Sequence, residues 1–348
     1  MKWKTSAVTA TVAVLLLPSV AACGSDDSAA ANGSYRVGLS DPVSSQPLDR
    51  AWGQATIAAG KHAGIDVTVL DAALDANKQV SDIDQFVAQQ MDGVIVFPLA
   101  PNAVDPALER ARTAGIKVLG ASAIISENEP TEPVAPYDAA FNQNSDVGGA
   151  RLLADHVAER LDGKGRVLGI GIGAPVPSIK FMVENYEKYV TENRPGIEWL
   201  GTVDNATDDQ AGGERAATEA IARFRGEIDA VMAYNTASAI GAAVALKRAG
   251  INGVVIVGQN GDPEGARAVQ QGQIDAIVDL VPWRQGLVGV EIMRRLLAGE
   301  TVKPVTYLQP ELYTQETIGE RLDWDEAIRQ IESGELTCAN GGCPDHLR

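Results

Sequence analysis

The chain has 348 residues, a formal net charge of −17 at pH 7 and three cysteines. Its length suggests two domains of ordinary size. Because the charge is strongly negative, nucleic acids and anionic lipid surfaces are disfavoured as partners. Beyond residue 22 the sequence offers no apolar stretch long enough to span a bilayer as a helix.

The first 34 residues have the pattern of an export signal followed by a linker. Lys2 and Lys4 precede an interrupted apolar stretch at residues 7–20, which is too short for a dedicated membrane span. Residues 1–22 are therefore predicted to be a signal peptide that is removed. Small polar residues dominate the segment that follows, which predicts a lipidated, flexible tether over residues 23–34.

The three cysteines fall near the two ends of the chain. The motif Val-Ala-Ala-Cys that ends at Cys23 resembles the lipobox of bacterial lipoproteins. The resemblance implies that Cys23 carries a lipid and anchors the protein to the cell membrane on its extracytoplasmic side. Outside the cytoplasm, Cys338 and Cys343 are predicted to form a disulfide. A zinc site that uses His346 is the alternative, but it lacks a second pair of ligands.

From residue 35 onward, short apolar runs alternate with longer stretches of helical periodicity. The predicted strands of a first set lie at residues 36–40, 66–70, 93–97 and 116–121. A proline- and glutamate-rich stretch at 124–144 is predicted to be a crossover between domains. The alternation then restarts, with predicted strands at residues 166–172, 197–203, 228–234, 254–257 and 274–279.

Two α/β sets of similar size predict two doubly wound lobes, each built on a parallel sheet. In open parallel sheets, ligands bind beyond the carboxyl ends of the strands. The cleft between the lobes is therefore the predicted binding site, and the polar residues that directly follow strands are the candidate contacts.

The sequence lacks the patterns that would indicate an enzyme or a cofactor site. His62, His156 and His346 form no cluster with metal-ligand spacing, and neither a nucleophile elbow nor a phosphate-binding loop occurs. Residues 169–174 formally match a dinucleotide-binding pattern, but their glycines alternate with isoleucines, which favours a strand rather than a turn. We expect no catalytic activity, no cofactor and no metal.

Five segments together resemble a known family. They are Val-Gly-Leu-Ser at 37–40 with Gln-Pro-Leu at 46–48, Gly-Val-Ile-Val-Phe-Pro at 93–98, Ala-Gly-Ile-Lys-Val at 114–118, Asp-Ala-Val-Met-Ala-Tyr-Asn at 229–235, and Val-Gly-Gln-Asn-Gly-Asp-Pro at 257–263. In this order they resemble the ribose- and galactose-type sugar-binding proteins, which are type I periplasmic binding proteins that serve ABC importers. The resemblance implies a small polar ligand, a sugar or polyol, and a permease partner in the membrane. We expect the protein to be a monomer.

The resemblance also implies two lobes that are joined by a three-stranded hinge and close on the ligand. We expect the N-terminal lobe at residues 35–143 and 284–306, and the C-terminal lobe at residues 144–283 and 307–322. A C-terminal helix and a disulfide tail are expected at 323–348.

The resemblance places candidate ligand contacts at eight positions. They are Gln46, Asp49, Ser122, Lys180, Asp209 (with Asp208 as its alternative), Asn235, Asn260 and Trp283. For Asn235 and Asn260, a helix cap and a turn residue are alternative interpretations. Lys180 and Trp283 have the alternatives of a solvated helix residue and a packing residue.

Several of these positions depart from the pattern of the sugar binders. Ser122-Ala123 replaces an Asp-Arg pair, Asn260 replaces an aspartate, and Leu280 replaces a glutamine. Aromatic side chains that could stack on a sugar ring are also few, at 5 Phe, 7 Tyr and 5 Trp. These departures indicate a furanose, a polyol or another small polar solute rather than an ordinary aldopyranose. The alternative function is an extracytoplasmic sensor that signals to a membrane partner.

Overall fold

Two six-stranded sheets organise residues 34–124, 130–143 and 148–348, which are the residues described by this computed structural model. The first sheet contains β1 (Tyr35–Asp41), β2 (Ile65–Asp71), β3 (Gly93–Val96), β4 (Lys117–Ala121), β5 (Ala139–Gln143) and β11 (Val305–Leu308). Its strand order is β11-β5-β4-β3-β1-β2. All of its neighbouring strands are parallel.

The second sheet repeats this plan with one antiparallel edge. It contains β6 (Gly165–Ile172), β7 (Ile197–Asn205), β8 (Ala230–Ala233), β9 (Val255–Asn260), β10 (Ala276–Asp279) and β12 (Glu311–Thr314). Its strand order is β12-β10-β9-β8-β6-β7, and β12 runs antiparallel to β10.

Helices connect the strands and cover the sheets. They are α1 (Pro47–Ala63), α2 (Ala76–Ala88), α3 (Pro101–Thr113), α4 (Ala150–Arg160), α5 (Pro177–Asn193), α6 (Gln210–Arg223), α7 (Thr236–Arg248), α8 (Pro263–Gln270), α9 (Pro282–Leu297) and α10 (Trp324–Ser333). No helix among the described residues is both long and apolar enough to cross a membrane.

The central strands are short, continuous apolar runs. Gly-Val-Ile-Val in β3 and Ala-Val-Met-Ala in β8 are buried at every residue. Strands with helices on both faces need apolar side chains on both faces, so they lose the alternation that marks half-exposed strands. The expected pair of parallel-sheet lobes is confirmed.

The chain changes lobe between β5 and α4, between β10 and α9, and between β11 and β12. Val281 lies at the second of these passages and caps α9 with a left-handed backbone (φ 49°, ψ 63°). This conformation is costly for a β-branched residue. A hydrogen bond of 2.7 Å from the Val281 amide to Asp279 Oδ1 helps to hold it.

The C-terminal segment packs against helices of the first lobe. Trp324 and Leu347 are buried in the same apolar cluster as Trp52 of α1 and Leu287 of α9. The sulfur atoms of Cys338 and Cys343 are bonded to each other. We call residues 321–348 the C-terminal docking region.

Three strands were absent from the sequence-based expectations. β5 lies inside the stretch at 124–144 that was interpreted as a crossover, and β11 and β12 lie beyond the last predicted strand. β11 also runs across the expected lobe boundary at residues 306 and 307, and all of it pairs with β5 of the first sheet. The predicted signal peptide, the tether and Cys23 lie outside the described residues.

Candidate functional site

A cavity of about 110 Å³ lies where the carboxyl ends of the two sheets face each other. A single water needs only about 10–15 Å³ of such space, so the cavity has room for a small solute. The first lobe contributes Pro42, Val43, Gln46, Leu48, Asp49, Trp52, Leu74, Phe97, Leu99, Ser122 and Gln285. The second contributes Ile172, Val176, Ser178, Ile179, Met182, Asp208, Tyr234, Asn235, Asn260 and Leu280.

The N-terminus of α1 supplies two polar side chains to this cavity. Gln46 is the N-cap residue, and Pro47 at the first helical position starts the helix. Asp49 follows in the first turn, where the helix dipole favours a negative charge. Gln46 Nε2 reaches across the cleft and donates to Asp208 Oδ2 (2.8 Å) and to the Asp208 carbonyl (2.9 Å). Gln46 therefore joins the two lobes directly.

Asp208 is held in place by several donors of its own lobe. Its carboxylate accepts hydrogen bonds from the Tyr234 hydroxyl and from Asn235 Nδ2, the latter at 2.9 Å. Its backbone is left-handed (φ 52°), and Asn205 braces the loop by donating to the Asp209 carbonyl (2.8 Å). Burial raises the pKa of Asp208, and these hydrogen bonds oppose that rise.

Asp49 has a different environment. Burial, reinforced by the nearby carboxyls of Asp41 and Asp208, raises its pKa well above the ordinary range. Asp41 is 1 % exposed, and burial raises the pKa of Asp41 to about 6. Asp49 therefore lies among carboxyl groups of the same sign, and together with burial they favour its protonated form.

Other polar side chains enter the cavity from strand ends and helix starts. Asn235 caps α7 by accepting from the Ser238 amide (2.8 Å), and Asn260 ends β9 with φ 85°. Ser122 directly follows β4 with φ 48°. Gln285 donates through Nε2 to the Leu280 carbonyl (3.0 Å), which leaves its Oε1 as an acceptor. Ser178 is 7 % exposed and its hydroxyl has no hydrogen-bond partner.

The larger part of the lining is apolar and includes aromatic rings. Trp52, Phe97 and Tyr234 all reach the cavity. Gln79 fixes the loop that carries Phe97, because its amide donates to the Phe97 carbonyl (2.8 Å) and accepts from the Leu99 amide (2.9 Å). The low aromatic count of the sequence suggested a shortage of rings here, but the fold concentrates three of them at the cleft.

Five of the eight candidate contacts from the sequence line the cavity. They are Gln46, Asp49, Ser122, Asn235 and Asn260. Both asparagines also fit their alternative interpretations, since Asn235 caps a helix and Asn260 occupies a left-handed turn position.

The other three candidates lie outside the cavity lining. Lys180 is exposed on α5. Asp209 is exposed and caps α6, where its carboxylate accepts from the Gly212 amide (2.7 Å) and the Thr207 hydroxyl (2.6 Å). Trp283 is buried in the first-lobe core, and the Arg284 guanidinium lies 4.9 Å from its ring centroid.

Sequence reasoning missed three polar residues of the lining, which are Ser178, Tyr234 and Gln285. Of the two alternatives Asp208 and Asp209, the structure places Asp208 in the lining. Tyr234 stands next to a residue that was selected, so that strand end was found with an error of one position. Gln285 lies on the first turn of the helix after Val281, and no local signal in the sequence distinguishes it.

The described residues contain no group of three or more His, Cys, Asp and Glu side chains that could hold a metal ion. The donor set of the cleft consists of carboxylates, amides and hydroxyls beside apolar walls. Such a site can hydrogen-bond a small hydroxylated solute and exclude water from it.

Comparisons with known proteins agree with this geometry. The chain is 29 % identical over 322 residues to the xylitol-binding protein of Mycolicibacterium smegmatis, covering 89 % of this chain and 85 % of that protein. It is 23 % identical over 240 residues to the ribose import binding protein of Escherichia coli, covering 69 % of this chain and 77 % of that protein.

Among solved structures, a periplasmic solute-binding protein of an ABC transporter from Actinobacillus succinogenes, with bound D-allose, has the same fold. The TM-score is 0.73 at 21 % identity, covering 82 % of this chain and all of the other. The family model for the periplasmic binding protein domain matches residues 37–301, which is most of the chain. The chain therefore belongs to the periplasmic binding protein family, and its two parallel-sheet lobes have the type I fold.

Proposed function

We propose that this protein is the solute-binding component of an ABC importer and that it encloses a small sugar-like polar solute between its lobes. The observation that carries the proposal is the cavity at the facing carboxyl ends of the two sheets, lined by hydrogen-bonding groups from both lobes. Relatives that are named for the binding of xylitol and the import of ribose support the same class of ligand. The import function of such relatives favours transport over a purely sensory role.

The proposed ligand contacts come from both lobes. They are Gln46, Asp49, Ser122 and Gln285 of the first lobe, and Ser178, Asp208, Asn235 and Asn260 of the second. Carboxylate and amide groups suit hydroxyl donors, and Trp52, Phe97 and Tyr234 suit the apolar side of a sugar or polyol.

We propose that the lobes close over the solute by a hinge motion. The two hydrogen bonds from Gln46 to Asp208 join the rims of the cleft and support a closed arrangement. Val281 and the connection between β11 and β12 are the described passages that would bend.

The N-terminal part of the proposal concerns residues outside the described range. Residues 1–22 would be removed as a signal peptide, and the lipid on Cys23 would hold a monomeric receptor next to its permease. Cys23→Ala should move the protein from the membrane fraction to the soluble extracytoplasmic fraction. An unchanged membrane fraction would argue against the lipid anchor and would leave the binding function intact.

The binding function is tested with purified residues 34–348. Ligand released by denaturation is identified by mass spectrometry, and a panel of sugars and polyols is screened for thermal stabilisation. A ligand at 100 times its Kd should stabilise the protein by about 2.7 kcal/mol. If no retained solute is found and no member of a broad panel raises the Tm, the sugar-like ligand class is wrong.

A further inference from the structure

Among the described residues, the cleft is lined by acidic side chains and by no basic side chain. Asp49 and Asp208 line it, whereas no lysine, arginine or histidine of the described residues does. The two internal segments that the structure does not describe, 125–129 and 144–147, contain none of these residues in the sequence either. A solute in this cleft therefore meets carboxyl groups, with no positive side chain of the described residues in the lining.

Asp49 and Asp208 are not equivalent within this environment. Asp208 is hydrogen-bonded by Gln46, Tyr234 and Asn235. Within the described residues, the Asp49 carboxylate accepts a hydrogen bond from its own backbone amide and from no side chain. Its acceptor capacity is therefore available to a solute.

A second polar group of the cleft also lacks a partner. The hydroxyl of Ser178, on the opposite lobe from Asp49, is buried and makes no hydrogen bond within the described residues. Buried polar groups in native proteins are nearly always hydrogen-bonded, and the exceptions often mark a place where a ligand or water binds. Ser178 and Asp49 thus mark two opposite walls that a solute would satisfy.

An ionised carboxylate in an apolar enclosure is costly unless a cation or several donors accompany it. The carboxyls that raise the pKa of Asp49 are Asp41 on β1, Asp71 on β2 and Asp208 beyond β7. A neutral hydroxyl would give Asp49 one hydrogen bond and would leave a bound proton as the means of neutralising its charge. A protonated amine would supply both the hydrogen bond and the opposite charge, and such bonds are roughly twice as strong.

We propose that the natural solute is a polyhydroxylated amine, whose ammonium group binds to Asp49 while its hydroxyls meet Asn260, Gln285 and Ser178. This inference rests on the proposed function and narrows its ligand class. A metal ion is not the expected cation, because the described residues offer no group of three metal ligands.

The test uses pairs of compounds that differ in one group, with residues 34–348 as the protein. Glucosamine is compared with glucose, and 1-amino-1-deoxysorbitol with sorbitol, by calorimetry at pH 7. We expect the amine of at least one pair to bind about tenfold or more tightly than its neutral counterpart, since bonds to charged groups exceed neutral ones by about that factor. N-acetylation of the amine should abolish the preference.

Two variants locate the effect. Asp49→Asn should remove the preference for the amine, because it keeps the size of the side chain and deletes the charge. Asp66→Asn is the matched control, since Asp66 is exposed on β2 and its loss changes the net charge equally. It should leave the preference within about twofold of the unmodified protein.

The pH dependence gives a further criterion. Because the pKa of Asp49 is raised, binding of an ammonium should expel a proton, and the binding enthalpy should therefore depend on the ionisation enthalpy of the buffer. Affinity for the amine should fall as the pH is lowered through the pKa of Asp49.

The outcomes separate the inference from the proposed function. If the neutral compounds bind equally or more tightly, the inferred amine ligand is wrong and the proposed function as a receptor for a sugar-like solute stands. Absence of binding by every member of a broad set of pairs would overturn both. An amine preference that survives in Asp49→Asn would also overturn the inference, because its stated origin would be wrong.

Discussion

The carboxyl of Asp49 in the cleft and the carboxyl of Asp279, against which the C-terminal docking region packs, have opposite hydrogen-bonding environments. The carboxylate of Asp279, at the end of β10, accepts hydrogen bonds from Arg321 Nε (2.6 Å), Trp324 Nε1 (3.0 Å) and the Val281 amide (2.7 Å). Asp49 receives no side-chain donor from the described residues. A satisfied carboxylate fixes structure, whereas an unsatisfied one is available for binding. The comparison predicts that changes in the docking region alter stability and that changes in the cleft alter binding.

The largest effect is expected from Arg321→Met. Arg321 is buried and pairs with Asp279, so its removal leaves a charge without compensation, at a cost of about 3–5 kcal/mol in unfolding free energy. Arg329→Met is the control, since its pair with Glu326 is exposed and contributes at most about 1 kcal/mol. Denaturant unfolding measures both. If Arg321→Met lowers the unfolding free energy by less than 1 kcal/mol, the other hydrogen bonds to Asp279 are sufficient without Arg321.

Loss of the disulfide should have the next largest effect on stability. The bond closes a loop of six residues, Cys338–Cys343, so Cys338→Ser together with Cys343→Ser should cost about 2 kcal/mol. The tail packs on Leu287 of α9, away from the cavity lining. Ligand affinity should therefore stay the same, and a change in Kd beyond about threefold would break the proposed separation of the two regions.

Asp49→Asn should stabilise the free protein while it weakens binding. The pKa of Asp49 is raised above its unfolded value near 3.8, so the native state binds the proton more tightly and loses stability as the pH rises above that value. Removing the charge should therefore gain about 0.5–2 kcal/mol at pH 7. The gain should shrink towards pH 4. If Asp49→Asn is less stable than the unmodified protein at pH 7, then the Asp49 carboxylate has a stabilising partner, and the contrast with Asp279 is wrong.

The smallest effect on stability is expected from Gln46→Ala. It removes two hydrogen bonds between the lobes but no apolar packing, so the Tm should change little. Because each bond contributes about 1 kcal/mol to the closed arrangement, ligand affinity should fall by roughly three- to thirtyfold. Gln54→Ala, an exposed position on the same helix, is the control. Equal ligand affinities of the two variants would show that the hydrogen bonds of Gln46 do not contribute to closure.

The strands and helices of both lobes could be predicted because their signals are local. Buried parallel strands such as β3 and β8 are unbroken apolar runs, and Gly64 ends α1 in a left-handed cap with φ 69°. β5, β11 and β12 were missed because their short sequences are partly polar and are defined by pairing across the sheet. Their partners are distant in sequence, so no periodicity reveals them.

The sequence by itself determined the two-lobed α/β fold and the strand ends at which the cleft lies. Only the tertiary structure decided which side chain at each end faces the cavity. The left-handed backbone at Asp208 directs that carboxylate into the cleft, whereas Asp209 caps α6, and α5 places Ser178 on the cavity wall but Lys180 in solvent. Successive helical residues turn by about 100°, so an error of one or two positions exchanges a buried face for an exposed one. These side-chain orientations place acidic side chains, and no basic side chain of the described residues, in the cavity lining.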